Sequence, residues 1–115
     1  MDLQPYIETA RRRRQRAYAQ RQNRRQQALI VARQAAQLLR DQFGVQRVVV
    51  FGSVLDPNTF HEQSDIDLAV WDLPADLYLQ AVAKLLDLSA FSFDLVPAES
   101  ASDYIQAAIA QGMPL

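Results

Sequence analysis

Two aspartates one residue apart, Asp65 and Asp67, stand in the apolar run Asp65-Ile66-Asp67-Leu68-Ala69-Val70. On a strand, alternate side chains share a face, so both carboxylates point the same way. An earlier apolar run, Val48-Val49-Val50-Phe51, stops at Gly52-Ser53. Glycine lets the backbone approach a ligand closely. Ser53 adds a hydroxyl and an N–H at the start of the turn that follows, a favourable place for an anion. A third acid, Asp94, lies in another short run, Phe91-Ser92-Phe93-Asp94-Leu95-Val96. If these strands are neighbours, three carboxylates converge. Like charges at close range raise one another's pKa, and a bound cation relieves them. Hard oxygen ligands select Mg²⁺, which keeps waters and recruits substrate phosphates. Two such ions about 3.5–4 Å apart can clamp the attacking and leaving oxygens of an in-line displacement. The chemistry expected is attack on the α-phosphorus of a nucleoside triphosphate, with pyrophosphate leaving. Asp94 would serve as base or metal ligand on the nucleophile side.

Taken singly, these signals are weak. An Asp-x-Asp pair is commonly just solvated, and Gly-Ser is ordinarily a turn. The order strand, Gly-Ser, connection, Asp-x-Asp strand, later acid on a strand is far more specific.

The elements that must position these residues are legible. Residues 4–42 contain no glycine and only Pro5, which a first helical turn tolerates. Leu29, Val31, Ala32, Ala35, Ala36, Leu38, Leu39 and Phe43 form a helical apolar stripe, and Gly44 supplies the stop. The preceding tract, Arg11 to Arg25, has almost no large apolar residue, so as a helix it would project from the domain. Residues 48–51 read as a buried strand, 54–64 as a polar connection turning at Asp56-Pro57-Asn58, and 65–71 as a second strand. Pro74 opens a helix to about Leu88, with Leu77, Ala81, Val82, Leu85 and Leu86 at helical spacing. A third strand over 91–96 closes at Pro97. Ser100 or Ser102 then caps a last helix carrying Ile105, Ala108 and Ile109, stopped at Gly112. The order α-β-β-α-β-α makes an α+β domain with a small mixed sheet flanked by helices, preceded by a long N-terminal helix. The division expected is a basic helical arm over 1–25 and a folded domain over 26–115.

Composition narrows the partners. A net charge of −1 conceals a strong asymmetry. Residues 1–47 hold 11 arginines against three acids, a net +8, and residues 48–115 hold Lys84 against ten acids, a net −9. A basic arm of this kind meets something acidic. A pI near 5.7 argues against a dedicated nucleic-acid binder. Tyr6 and Tyr18 are too few for a base-stacking platform. Contact with protein, a partner or a second copy through the N-terminal helix, is the better reading. There is no cysteine, hence no disulfide framework or thiolate zinc site. No apolar leader and no membrane-length stretch is present, so a soluble, cytoplasmic protein is expected.

The run Val48-Val49-Val50-Phe51-Gly52-Ser53, followed by Ser64-Asp65-Ile66-Asp67-Leu68-Ala69-Val70, resembles the signature of the nucleotidyltransferase superfamily. That signature is an apolar residue before Gly-Gly or Gly-Ser, then two acids alternating with apolar residues. The short chain is similar to the minimal nucleotidyltransferases, the MNT proteins, from about Gln26 to Leu115. The resemblance implies a polymerase-β-like palm. It assigns Gly52 and Ser53 to phosphate contact and Asp65, Asp67 and Asp94 to metal binding and catalysis. It further implies Mg²⁺, ATP as substrate, and pairing with a helical HEPN-type RNase toxin. In such pairs the MNT protein is the antitoxin, in some cases acting by transfer of AMP to a tyrosine. Two departures are visible. The connection 54–64 is one residue longer than in many minimal members, and Val54-Leu55-Asp56-Pro57 supplies no cation. They motivate an alternative in which a catalytically weak or inactive palm neutralises its partner by binding alone.

Lys84, His61, Glu62, Phe60, Trp71 and Ser64 have blander readings. Lys84, His61 and Glu62 suit solvated positions, Phe60 and Trp71 suit packing, and Ser64 suits tightening of the turn before Asp65.

Overall fold

The computed structural model describes all residues, 1–115. Its first element, α1, is one continuous helix over Gln4–Phe43, 40 residues long. At 1.5 Å per residue such a helix runs roughly 60 Å, which explains the long axis of the 67 × 30 × 19 Å molecule. Gly44 ends it at φ 69°, where the amides of Gly44 and Val45 donate to Arg40 O and Leu39 O. This is a left-handed (αL) stop that glycine adopts without strain. Ala28, Ala32, Ala35, Ala36 and Leu39 form its buried stripe. The small alanines let the helix lie close on the sheet.

The chain then forms β1 (Val48–Phe51), a 3₁₀ turn (Gly52–Leu55), and β2 (Ile66–Val70). A 3₁₀ turn over Ala75–Leu77 leads into α2 (Tyr78–Leu86), followed by β3 (Phe93–Pro97). A further 3₁₀ turn (Ala98–Ser100), α3 (Asp103–Ala110) and β4 (Met113–Pro114) complete it. The sheet order is β3-β2-β1-β4. β1 runs antiparallel to β2 and β4, while β2 and β3 are parallel. The architecture is the expected α+β one, a mixed sheet with a long N-terminal helix.

Alternation along the strands builds two cores. Val48, Val50, Ile66, Leu68, Val70 and Leu95 face α1 and α2. Val49, Phe51 and Ala69 face Ala98 and Ile109 on the α3 side. By the same alternation Asp67 and Asp94 project on the α3 side.

The structure departs from the sequence reading at the C-terminus and at element boundaries. A fourth strand forms at the C-terminus, where Val49 pairs with Pro114 and Val50 with Met113. Arg40 donates to the Leu115 carbonyl, and the Leu115 amide donates to Val48 O, so this end is tied to both α1 and β1. The third strand starts at Phe93 rather than Phe91, and Pro97 is its last residue, opposite Val70. An edge strand accepts a proline because its outer N–H is not needed. The helix expected from Pro74 begins as a 3₁₀ turn, and its α-helical part stops at Leu86. As expected, one of the two serines offered caps α3: Ser102 accepts from Ile105 N at 3.2 Å. No helix is long and apolar enough to cross a membrane.

Candidate active site

Strand register gathers the acidic residues. Phe51, the last residue of β1, lies opposite Asp67 on β2, and Asp67 lies beside Asp94 on β3. Asp65 sits one residue ahead of β2, exposed at its mouth. Asp67 occupies the central strand and is half-buried, while Asp94 is exposed on the edge strand. The Asp67 carboxyl is pushed up from 3.8 to about 6, chiefly by burial, then by repulsion from Asp94 and from Asp65. No basic residue of the chain neutralises the three, since the one ion pair present joins Arg12 to Glu8. The side chains stand apart: no three His, Cys, Asp or Glu groups are drawn together closely enough to form a ligand cluster.

Gly52 follows Phe51 directly and adopts φ 78°. A Cβ at this position would overlap Asp67 Oδ2. The backbone at Gly52 therefore lies against the carboxylate of the central strand, and only glycine fits both the conformation and the space. Ser53 follows in the 3₁₀ turn. Its carbonyl accepts from Asp56 N at 3.3 Å and from Thr59 Oγ1 at 2.7 Å, which folds the connection back on itself.

The lesser candidates fall to structural positions. Phe60 is fully buried in the main core. Trp71 is covered by Arg47, whose guanidinium carbon lies 3.8 Å from the ring centroid. Ser64 Oγ accepts from His61 N at 2.9 Å, tightening the turn before Asp65. His61, Glu62 and Lys84 are exposed.

Two residues near the site escaped the sequence reading. Arg24 and Arg25, assigned to the arm, bond to the connection between Ser53 and Asp65. Helical phase carried a signal for them. Arg21, Arg25, Ala28 and Ala32 follow one another at three- and four-residue spacing, so the arginines continue the face that the alanines bury.

Comparison with known proteins agrees with this fold. A family model described as polymerase beta, nucleotidyltransferase matches residues 33–115. No curated protein matches the chain. Among solved structures, a chain of a mutant MntA-HepT toxin–antitoxin is 28% identical, with a TM-score of 0.61 over 72% of this chain and 70% of that one. In that mutant, two aspartates one residue apart are changed to glutamate. A second MntA-HepT toxin–antitoxin structure is 25% identical, with a TM-score of 0.57 over 75% of this chain and 69% of that one. The family match covers more than half of the sequence, and the chain belongs to the polymerase-β nucleotidyltransferases, within their minimal (MNT) family.

Proposed function

We propose that this protein is an Mg²⁺-dependent nucleotidyltransferase that moves a nucleoside monophosphate, AMP from ATP, onto a partner protein in the cytoplasm. The observation that carries this reading is the register that sets Gly52-Ser53, Asp67 and Asp94 side by side. Asp65, Asp67 and Asp94 supply only hard oxygen donors, and their charge has no cationic partner within the chain. That donor set fits a divalent cation. Bound there, the metal would offset the carboxylates and attract the triphosphate, with room in a three-acid set for a second ion. The Gly52 backbone and the Ser53 hydroxyl would hold the phosphates. Asp94, exposed on the edge strand, stands open to an acceptor and would take the proton of its hydroxyl. The acceptor oxygen bonds to the α-phosphorus as the bond to the β-phosphate oxygen breaks, and pyrophosphate leaves.

The partner follows from likeness to MntA-HepT structures. This chain would be the antitoxin of a HEPN/MNT pair, acting on the helical toxin. The arm over 1–25 would meet an acidic protein surface, of the partner or of a second copy, and residues 26–115 would carry the transferase. The paired-aspartate change in one of those structures has the spacing of Asp65 and Asp67, which supports their role. Incubating the protein with α-labelled ATP, Mg²⁺ and the helical partner should label the partner. Asp65→Asn with Asp67→Asn should abolish labelling. Absence of transfer in the wild-type protein would sink the reading.

A second reading rests on a specific observation. No cation follows Ser53, and the three acids are not drawn into a ligand cluster. A palm that neutralises its partner by contact alone would bind it with no Mg²⁺-dependent nucleotide affinity. Calorimetry with ATP and Mg²⁺ separates the two.

A further inference from the structure

A short helical turn leaves its last carbonyls without partners inside the turn. In the Gly52–Leu55 turn, two of these are taken by one side chain from far away in sequence. Arg25 Nε donates to Val54 O at 2.6 Å, and Arg25 Nη2 donates to Leu55 O at 3.1 Å. The flat guanidinium makes both bonds at once and so fixes orientation as well as distance. One residue earlier, Arg24 Nη2 donates to Glu62 O at 3.0 Å. The Arg24 guanidinium carbon also lies 4.8 Å from the Phe91 ring centroid and 5.9 Å from that of buried Phe60. Consecutive arginines of α1 therefore grip the two ends of the connection that joins Gly52-Ser53 to Asp65. The connection's other side-chain bonds are local. Thr59 Oγ1 donates to Ser53 O and Asp56 O, the Asn58 amide donates to Asp56 Oδ1, and the His61 amide donates to Ser64 Oγ.

We infer that Arg25 is a positioning residue for the Gly52-Ser53 turn, with Arg24 as its counterpart at the far end of the connection. The inference deepens the proposed nucleotidyl transfer and rests on it for its chemical consequence. The sequence offers no cation after Ser53, and Arg25 supplies one from α1, directed at the backbone of the turn rather than at substrate. Because Gly52 lies against Asp67, a turn that drifts also loosens the contact with the central carboxylate. Hydrogen bonds from a charged donor to carbonyls are among the stronger ones in a protein, and their loss leaves half-buried acceptors exposed to rearrangement.

The test compares Arg25→Ala and Arg25→Lys with the wild-type chain, below the melting temperature of each. Arg25→Ala should raise KM for the triphosphate at least about tenfold, the loss of roughly one charged hydrogen bond, with a smaller change in kcat. Arg25→Lys should recover part of it through one carbonyl. A purely structural role would lower Tm and leave KM of the folded fraction unchanged, and that outcome overturns the inference. Hydrogen exchange gives a readout independent of activity. Amides of residues 53–60 should exchange faster in Arg25→Ala while those of β1 and β2 do not. Unchanged exchange there overturns the inference even in a protein that transfers nothing. Lack of transfer by the wild-type protein counts against the functional reading alone, since exchange still decides whether Arg25 holds the turn.

Discussion

Asp67 differs from its two acidic neighbours because it sits on an inner strand, half-buried, with a like charge on either side. Its pKa in the folded chain, about 6, lies above its ordinary value of 3.8. The folded state thus holds a proton that the unfolded state releases between about pH 4 and 6, and stability falls across that window as pH rises. Above it the ionised carboxylate is a constant cost. Asp67→Asn should remove that cost. After discounting for partial exposure, it should stabilise the chain by about 1–2 kcal/mol at pH 7.5 and by nothing at pH 4. Urea melts at the two pH values check this, and equal effects at both would refute it. Divalent-cation binding should displace the same proton, so affinity should drop as pH falls below about 6. Gly52 carries the complementary prediction. Gly52→Ala meets both a positive φ and the Asp67 carboxylate, and it should cost about 1–3 kcal/mol of stability. It should also abolish nucleotide transfer, whereas Gly44→Ala, at a site with open space around it, should cost stability alone. Thermal melts paired with transfer assays distinguish the two.

At the level of elements, the sequence was most readable where periodicity ran long. The alternating strand over Ile66–Val70, the apolar run before Gly52 and the helical stripe ending at Gly44 all announce themselves, and with them the order of the acidic residues. Register was not readable. Spacing alone makes Asp65 and Asp67 equivalent, and only the pairing of Phe51, Asp67 and Asp94 shows which carboxylate is central. β4 was hidden because Met113-Pro114 is too short for any period and contains a proline. Arg24 and Arg25 were hidden because they end a tract that looks uniformly solvated, although their helical phase sets them on the buried face. This last point makes a prediction about α1. Removing residues 1–16, which are exposed throughout, should leave the fold and its Tm nearly unchanged. Removing residues 1–25 deletes three side-chain hydrogen bonds to the 54–62 segment and should destabilise the chain by about 1–3 kcal/mol. Denaturant melts of the two truncations decide whether the helix is an appendage up to residue 25 or part of the domain before it.

Over the whole molecule, charge and shape are coupled. Residues 1–16, exposed throughout and carrying five arginines, are drawn out along a 67 Å axis on a rigid continuous helix that cannot fold back to cover the acidic half. From half-buried Ala17, the phase of the buried alanines runs through Ala10 and Ile7 in the exposed part of α1 to Leu3 at its N-cap, with Tyr6 and Tyr18 beside them. This apolar stripe lies among Arg11, Arg12, Arg13, Arg14 and Arg16, and of these only Arg12 has an acidic partner, Glu8. Two such arms would repel each other along their length, so arm-against-arm pairing is disfavoured, and an acidic, partly apolar surface is the complementary one. Binding to the helical partner should therefore weaken when salt rises from about 0.1 M to 1 M, as the screening length falls from roughly 10 Å to 3 Å. It should weaken comparably when Arg11, Arg13, Arg14 and Arg16 are replaced by Gln, with Tm unchanged. Calorimetry across the salt series measures both effects. If the quadruple variant binds the partner like wild type but loses self-association in light scattering, the arm serves a second copy. A variant unchanged in both would leave the arm without a protein-binding role.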